Sequence, residues 1–181
     1  MEIPEENFKN TDLPDEYTKL LEGAVAMLVD SPSAYVDLVK TQIDIKDSER
    51  VPVIKENRTL IPVRFATEAL GVKVSWNEAD RKVNISGKDK EIVMTIDSKM
   101  ALVNGETKEL ATSPQIINNM TYLPARSLGE LLDYNVIYYE GLIVLAPKGN
   151  PNISEEKEML EKLKDIIYYE DISEREYDIM G

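Results

Sequence analysis

Two stretches of this chain repeat each other, and that repeat constrains the fold more than any other feature. Pro52-Val-Ile-Lys-Glu-Asn-Arg-Thr-Leu-Ile-Pro-Val-Arg64 returns 62 residues later as Pro114-Gln-Ile-Ile-Asn-Asn-Met-Thr-Tyr-Leu-Pro-Ala-Arg126. Between 52–76 and 114–138 nine positions are identical: Pro52, Ile54, Asn57, Thr59, Pro62, Arg64, Glu68, Leu70 and Val74, each with its partner 62 later. Composition alone gives roughly one or two. Upstream, Met27, Asp30, Ser31, Ala34 and Val36 recur as Met94, Asp97, Ser98, Ala101 and Val103, now 67 residues apart. The change of offset marks an insertion in 44–51 of the first copy. Two copies are too few for a solenoid, so the pattern predicts a pseudo-symmetric pair with units over 24–86 and 87–146, the second copy's match starting near 91.

Each unit reads the same way. Apolar 24–29 and 34–36 flank Asp30-Ser-Pro-Ser33, a strand, a turn and a strand. The second copy gives 91–96 and 101–103, followed by Asn104-Gly105, a strong hairpin signal because both residues tolerate positive φ. A further hairpin turns at Asn57-Arg58, matched by Asn118-Asn119. Pro62 and Pro124 suit a first helical residue, with φ preset. Val63, Ala66, Ala69 and Leu70 then make an apolar stripe at helical spacing, and Gly71 is a natural stop. The second helix runs to about Leu132, where Asp133 replaces the glycine. A closing hairpin, 72–76 with 82–86, corresponds to 134–138 with 142–146. The expected fold class is α+β: two homologous units of antiparallel hairpins, each with one short helix, plus a C-terminal helix.

Two flanks complete the chain. Residues 1–23 form an acidic N-terminal flank, of which 1–16 should be loosely ordered. Residues 147–181 contain a breaker-rich linker and a helix over 154–168, capped by Ser154. Met159, Leu160, Leu163, Ile166 and Ile167 share its apolar stripe, expected to dock on the repeat pair or on a second copy. An acidic tail follows Glu170.

Composition excludes several chemistries. With no Cys and no His among 181 residues, the chain has no disulfide, thiol nucleophile, His-based triad, or His- or Cys-ligated copper or zinc site. A net charge of −13 opposes nucleic acid and anionic membranes. No apolar run approaches the ~20 residues of a membrane span, and the N-terminus is no signal peptide.

Thr59-Leu-Ile-Pro-Val-Arg-Phe-Ala-Thr-Glu-Ala-Leu-Gly-Val-Lys-Val-Ser-Trp76 resembles the core motif of the copper amine oxidase-like N-terminal domain, also called the stalk domain. Thr121-Tyr-Leu-Pro-Ala-Arg126 resembles its second occurrence. Val29-Asp-Ser-Pro-Ser-Ala-Tyr-Val36 and Met100-Ala-Leu-Val-Asn-Gly105 resemble the hairpins preceding each motif, and Tyr138-Tyr-Glu-Gly-Leu-Ile-Val-Leu145 the usual close. The departures are Asp37-Leu38 where the family has Asn-Gly, and Asp133 at the usual Gly. The resemblance implies an exported protein of Gram-positive bacteria, extracellular or at the cell surface. It also implies a module carrying neither copper nor quinone, and a fragment or an accessory protein.

Several residues are candidate sites. Arg64 and Arg126 could clamp an anion, or tie each helix start to a strand or to Glu68 and Glu130. Pro62, Arg64, Glu68, Trp76, Pro124, Arg126, Glu130 and Tyr138 form the structural motif. Trp76, Tyr122, Tyr138 and Tyr139 could make a platform for sugar rings, although Trp76 reads more readily as cover for the sheet's own helix. Asp44-Ile-Lys-Asp-Ser-Glu49 faintly matches a calcium loop, and Met27, Met94, Met100 and Met120 suit core packing. No catalytic residue, metal or cofactor is expected. The sequence therefore points to a non-catalytic extracellular module that spaces or docks protein domains of its own or another chain. A carbohydrate- or peptidoglycan-binding module is the alternative, and an acid-based glycan-active enzyme a weaker one.

Overall fold

In a computed structural model, residues 15–87 and 89–180 are described, with side chains for 15, 17–87 and 89–168. The chain is α+β, with antiparallel sheets and, among the described residues, four helices. It divides into two compact units: residues 52–134 form one, and residues 1–51 with 135–181 form the other.

In chain order the elements are α1 (Asp15–Leu21), β1 (Val25–Leu28), β2 (Ser33–Val36), β3 (Val39–Gln42), β4 (Val53–Lys55), β5 (Arg58–Pro62) and α2 (Val63–Ala69). Then come β6 (Lys73–Asn77), β7 (Lys82–Ser86), β8 (Glu91–Thr95), β9 (Met100–Val103), β10 (Glu106–Glu109), β11 (Gln115–Ile117) and β12 (Met120–Pro124). α3 (Ala125–Leu132), β13 (Tyr134–Tyr139), β14 (Leu142–Pro147) and α4 (Lys157–Met180) complete it.

The unit of 52–134 holds a five-stranded meander, β6 to β10 in sequence order, and a four-stranded sheet ordered β11-β12-β5-β4. In the four-stranded sheet Ile61 pairs with Leu123, flanked by Tyr122 with Pro62 and Pro124 with Leu60. The side chains of Leu60, Ile61, Tyr122 and Leu123 are all buried. α2 and α3 follow β5 and β12 directly and bury Val63 and Ala66, and Ala125, Leu128 and Leu131. Pro62 and Pro124 are the last strand residues and stand at the N-cap, one position earlier than expected, because their extended ψ of 117° and 131° still belongs to the strands. The helix stops differ as expected: Gly71 takes φ +75°, and Asp133 takes the same left-handed region at φ 61°.

The turns carry the repeat in their torsions. Positive φ occurs at Asp30 and Asp97, at Asp37-Leu38 and Asn104-Gly105, and at Glu56-Asn57 and Asn118-Asn119. Two adjacent positive-φ residues are the hairpin geometry that matches strand twist. Leu38 adopts it without being Gly or Asn, and that is why β3 is invisible as a hairpin strand in the sequence.

The other unit is built from two separate pieces of chain. Its five-stranded sheet is ordered β13-β14-β1-β2-β3. β1 therefore pairs with β14, Val25 with Leu145 through Leu28 with Leu142. α1 and α4 belong to its core, where Tyr17, Leu21, Leu160, Leu163 and Ile167 pack with Ala26, Leu28, Tyr35, Leu142 and Val144. The apolar stripe of α4 thus docks within the chain, each buried Leu or Ile contributing roughly 1.5–3 kcal/mol. The sheet residues in the core with these helices, Ala26, Leu28, Tyr35, Leu142 and Val144, are apolar, whereas at repeat-equivalent positions the meander β6–β10 has Val93, Thr95, Leu102, Lys82 and Asn84, none of them buried. The covered face is apolar and its uncovered counterpart largely polar.

Three expectations change here. α1 falls within the acidic flank, where no helix was expected. The expected looseness of 1–16 concerns mostly 1–14, which lie outside the described residues. α4 starts at Lys157 rather than Ser154 and its backbone continues to Met180. Ser154 is no cap: its N–H donates to Asn152 Oδ1 at 3.0 Å, in a turn that delivers Ile153, 1% exposed, to the core.

Candidate functional site

The two copies of the motif place equivalent residues on equivalent elements. Arg64 is the second residue of α2 and Arg126 the second of α3, and both are exposed, as are Glu68 and Glu130 one turn on. Pro62 and Pro124 are buried at the strand–helix junctions, with Pro62 opposite Tyr122.

The aromatic candidates separate by burial. Tyr122 is 3% exposed and offers no ring face to solvent. Tyr139 packs against the core beneath α4, and its hydroxyl donates to Glu161, which pushes its pKa above the ordinary tyrosine value. Trp76 is 37% exposed and Tyr138 39%. Trp76 shares a cross-strand row with Val83, Met94 and Ala101, which are buried. It sits on the edge strand β6, so its ring caps the end of that row and remains over a third open. The expected cover for the sheet's own helix is a side chain on this buried row with its outer edge in solvent. Trp76 and Tyr138 belong to different compact units.

A cleft of ≈ 330 Å³ lies where the C-terminal ends of α2 and α3 converge, lined by Leu70, Gly71, Leu132, Asp133, Tyr134 and Lys90 among others. Lys90 Nζ donates to Leu131 O at 2.9 Å and pairs with Asp133 Oδ2 at 2.7 Å. The ammonium thus caps the negative end of α3 and anchors the non-glycine stop. The cleft holds a committed cation and no nucleophile–base pair. Sequence reasoning did not find it, since Lys90 lies in the connector between the two copies, 41 residues from its acceptor.

The insertion at 44–51 is braced internally. Arg50 Nη1 pairs with Asp44 Oδ2 at 2.7 Å and its Nε with Asp47 Oδ2 at 3.2 Å. The N–H groups of Lys46 and Glu49 donate to Asp44 and Asp47. These bonds hold the Asp44 carboxyl below its ordinary pKa, the Lys46 N–H contributing most. A guanidinium occupies the place between these carboxylates that a calcium ion would need, so the loop is a salt-bridged turn.

Among the described residues no group of three or more metal-ligating carboxylates converges, and no helix is long and apolar enough to cross a membrane. A comparison with curated proteins finds no match. The family model of the Copper amine oxidase N-terminal domain matches residues 28–144, which include both motif copies and every strand from β2 to β13. In copper amine oxidases this domain is a non-catalytic accessory domain. The chain belongs to the copper amine oxidase N-terminal domain family.

Proposed function

We propose that the chain is a non-catalytic accessory module, exported to the bacterial cell surface, that spaces or docks neighbouring protein domains. The observation carrying this reading is the family match across both motif copies, in a family whose domain is accessory. Pro62 and Pro124 are buried at the strand–helix junctions, whereas Arg64, Glu68, Arg126 and Glu130 stand on exposed helix positions accessible to a partner. We read 24–86 and 87–146 as two homologous units, supported by the direct pairing of the equivalent residues Ile61 and Leu123. Residues 52–134 carry eleven acidic and eleven basic side chains, so the whole net charge of −13 belongs to the unit of 1–51 and 135–181. A docking partner for that unit is a basic protein surface.

Fractionation of the producing cells, with the chain found in the envelope or outside, supports this reading, and a purely cytoplasmic chain overturns it. Incubation with copper and primary amines should release no peroxide, and protein dialysed after copper loading should carry no stoichiometric copper by elemental analysis. Amine turnover would defeat the accessory role. The partial exposure of Trp76 favours a second reading, a polysaccharide-binding face, which predicts retention on insoluble peptidoglycan or cellulose.

A further inference from the structure

The sheet ordered β13-β14-β1-β2-β3 closes only because the segment after α3 returns to strands more than a hundred residues earlier. The meander reaches the same arrangement locally. There the hairpin β6–β7 pairs with the next strand, Val83 with Met94, and the repeat-equivalent pair in the closing sheet is Ile143 with Met27. The hairpin β13–β14 therefore binds a seat that is the opening part of a repeat, and a second copy of this chain presents an identical seat.

The connector to this hairpin is minimal. α2 and β6 are joined by Leu70, Gly71 and Val72, but α3 and β13 are joined by Asp133 alone. Asp133 turns the chain at φ 61° and ψ 41°, a conformation that glycine takes freely and other residues at a cost. The division between the compact units falls one residue further on, after Tyr134. A short, strained hinge beside a self-contained segment is the geometry that favours exchange between protomers.

We propose that the chain forms an exchanged dimer. Residues 134–181 of one copy fill the seat of β1, β2 and α1 in the other, and Asp133 relaxes to an extended conformation. Every contact of the closing sheet is kept and the Lys90–Asp133 pair is given up, so the equilibrium depends on hinge strain, on that partly exposed pair and on the local concentration of the tethered hairpin. That concentration is of order millimolar for a flexible tether, so exchange requires refolding at comparable protein concentration.

The chain has no cysteine, which makes the test direct. Ala26 and Val144 are paired across β1 and β14, and are 2% and 0% exposed. Facing strand residues lie within disulfide reach. Chains carrying Ala26→Cys are mixed with chains carrying Val144→Cys, unfolded in urea, refolded together at about 1 mM, and oxidised. The expected result is a disulfide-linked heterodimer on non-reducing gels, absent when the mixture is refolded a thousandfold more dilute. Asp133→Gly in both chains should lower the yield several-fold, because the monomer hinge is then unstrained. In parallel, light scattering of the unsubstituted chain refolded at about 1 mM should show dimers that persist on dilution. Monomers alone in that measurement, with no heterodimer in the first, overturn the proposal.

Discussion

Ile61 lies directly opposite Leu123 across the β5–β12 ladder, both at 0% exposure, and the two are the same position of the repeat. Their neighbours in the ladder are Pro62 with Tyr122 and Leu60 with Pro124. Either Ile61→Ala or Leu123→Ala should cost about 2–5 kcal/mol, the range for emptying a packed aliphatic site. As the two cavities adjoin, the double variant should depart from the sum of the singles by about 0.5 kcal/mol or more, measured by urea unfolding. Strict additivity would show that the two side chains do not share a packing site.

The α4 stripe is expected to be structural. Leu163 is 1% exposed in the core with Ala26, Tyr35 and Val144. Leu163→Ala should destabilise by about 2–5 kcal/mol. Removing 152–181 uncovers the part of the apolar face beneath α4, and the shortened chain should melt lower and self-associate, read by calorimetry and size-exclusion chromatography. An unchanged melting temperature and elution volume would contradict the packing.

For Trp76→Ala the expected loss is below about 3 kcal/mol, less than for a wholly buried aromatic, because 37% of the residue is already in solvent. Thermal unfolding reads the loss, and a polysaccharide pull-down on the same sample reads binding. Unchanged stability with lost retention would favour the glycan-binding reading.

Two pH responses follow from opposite shifts. Asp44 is held below its ordinary pKa, so its contribution is present above about pH 3.9 and lost as pH falls through the lower folded value. Amide exchange in 44–51 should accelerate there, ahead of exchange in the sheets. Tyr139 is held above its ordinary pKa of 10.0, so its contribution is present below that value and lost as pH rises through the higher folded one. An ultraviolet titration should show Tyr139 ionising late, and Glu161→Gln should advance it.

The hairpins were legible because their turns use residues that tolerate positive φ, as at Asn104-Gly105 and Asn118-Asn119. β3 was hidden because Leu38 occupies such a position and gains its place by packing on the core beneath α4. α1 was hidden because, among its described side chains, Tyr17, Leu20 and Leu21 face inward, too few for a period within an acidic flank. The α4 stripe was legible as helical, but its start was not, since burial of Ile153 outweighed the capping preference of Ser154. The pairing of β1 with β14 leaves no local trace, because it joins segments more than a hundred residues apart. The Lys90–Asp133 cap was missed for the same reason, being a contact between distant segments.

That long-range pairing also decides how the fold meets mechanical load. β1 and β14 run antiparallel, with Val25, where the chain enters, on the rung beside Leu145, where it leaves. A pull applied through the segments on either side acts across the ladder's hydrogen bonds one rung at a time, as a zip opens, and never along all of them together. β1 therefore peels from β14 at low force once α4 has lifted, while 52–134 feels no tension until the zip has opened. Under such a load the fold is a weak link that yields early, in one part, and can close again when the load is removed.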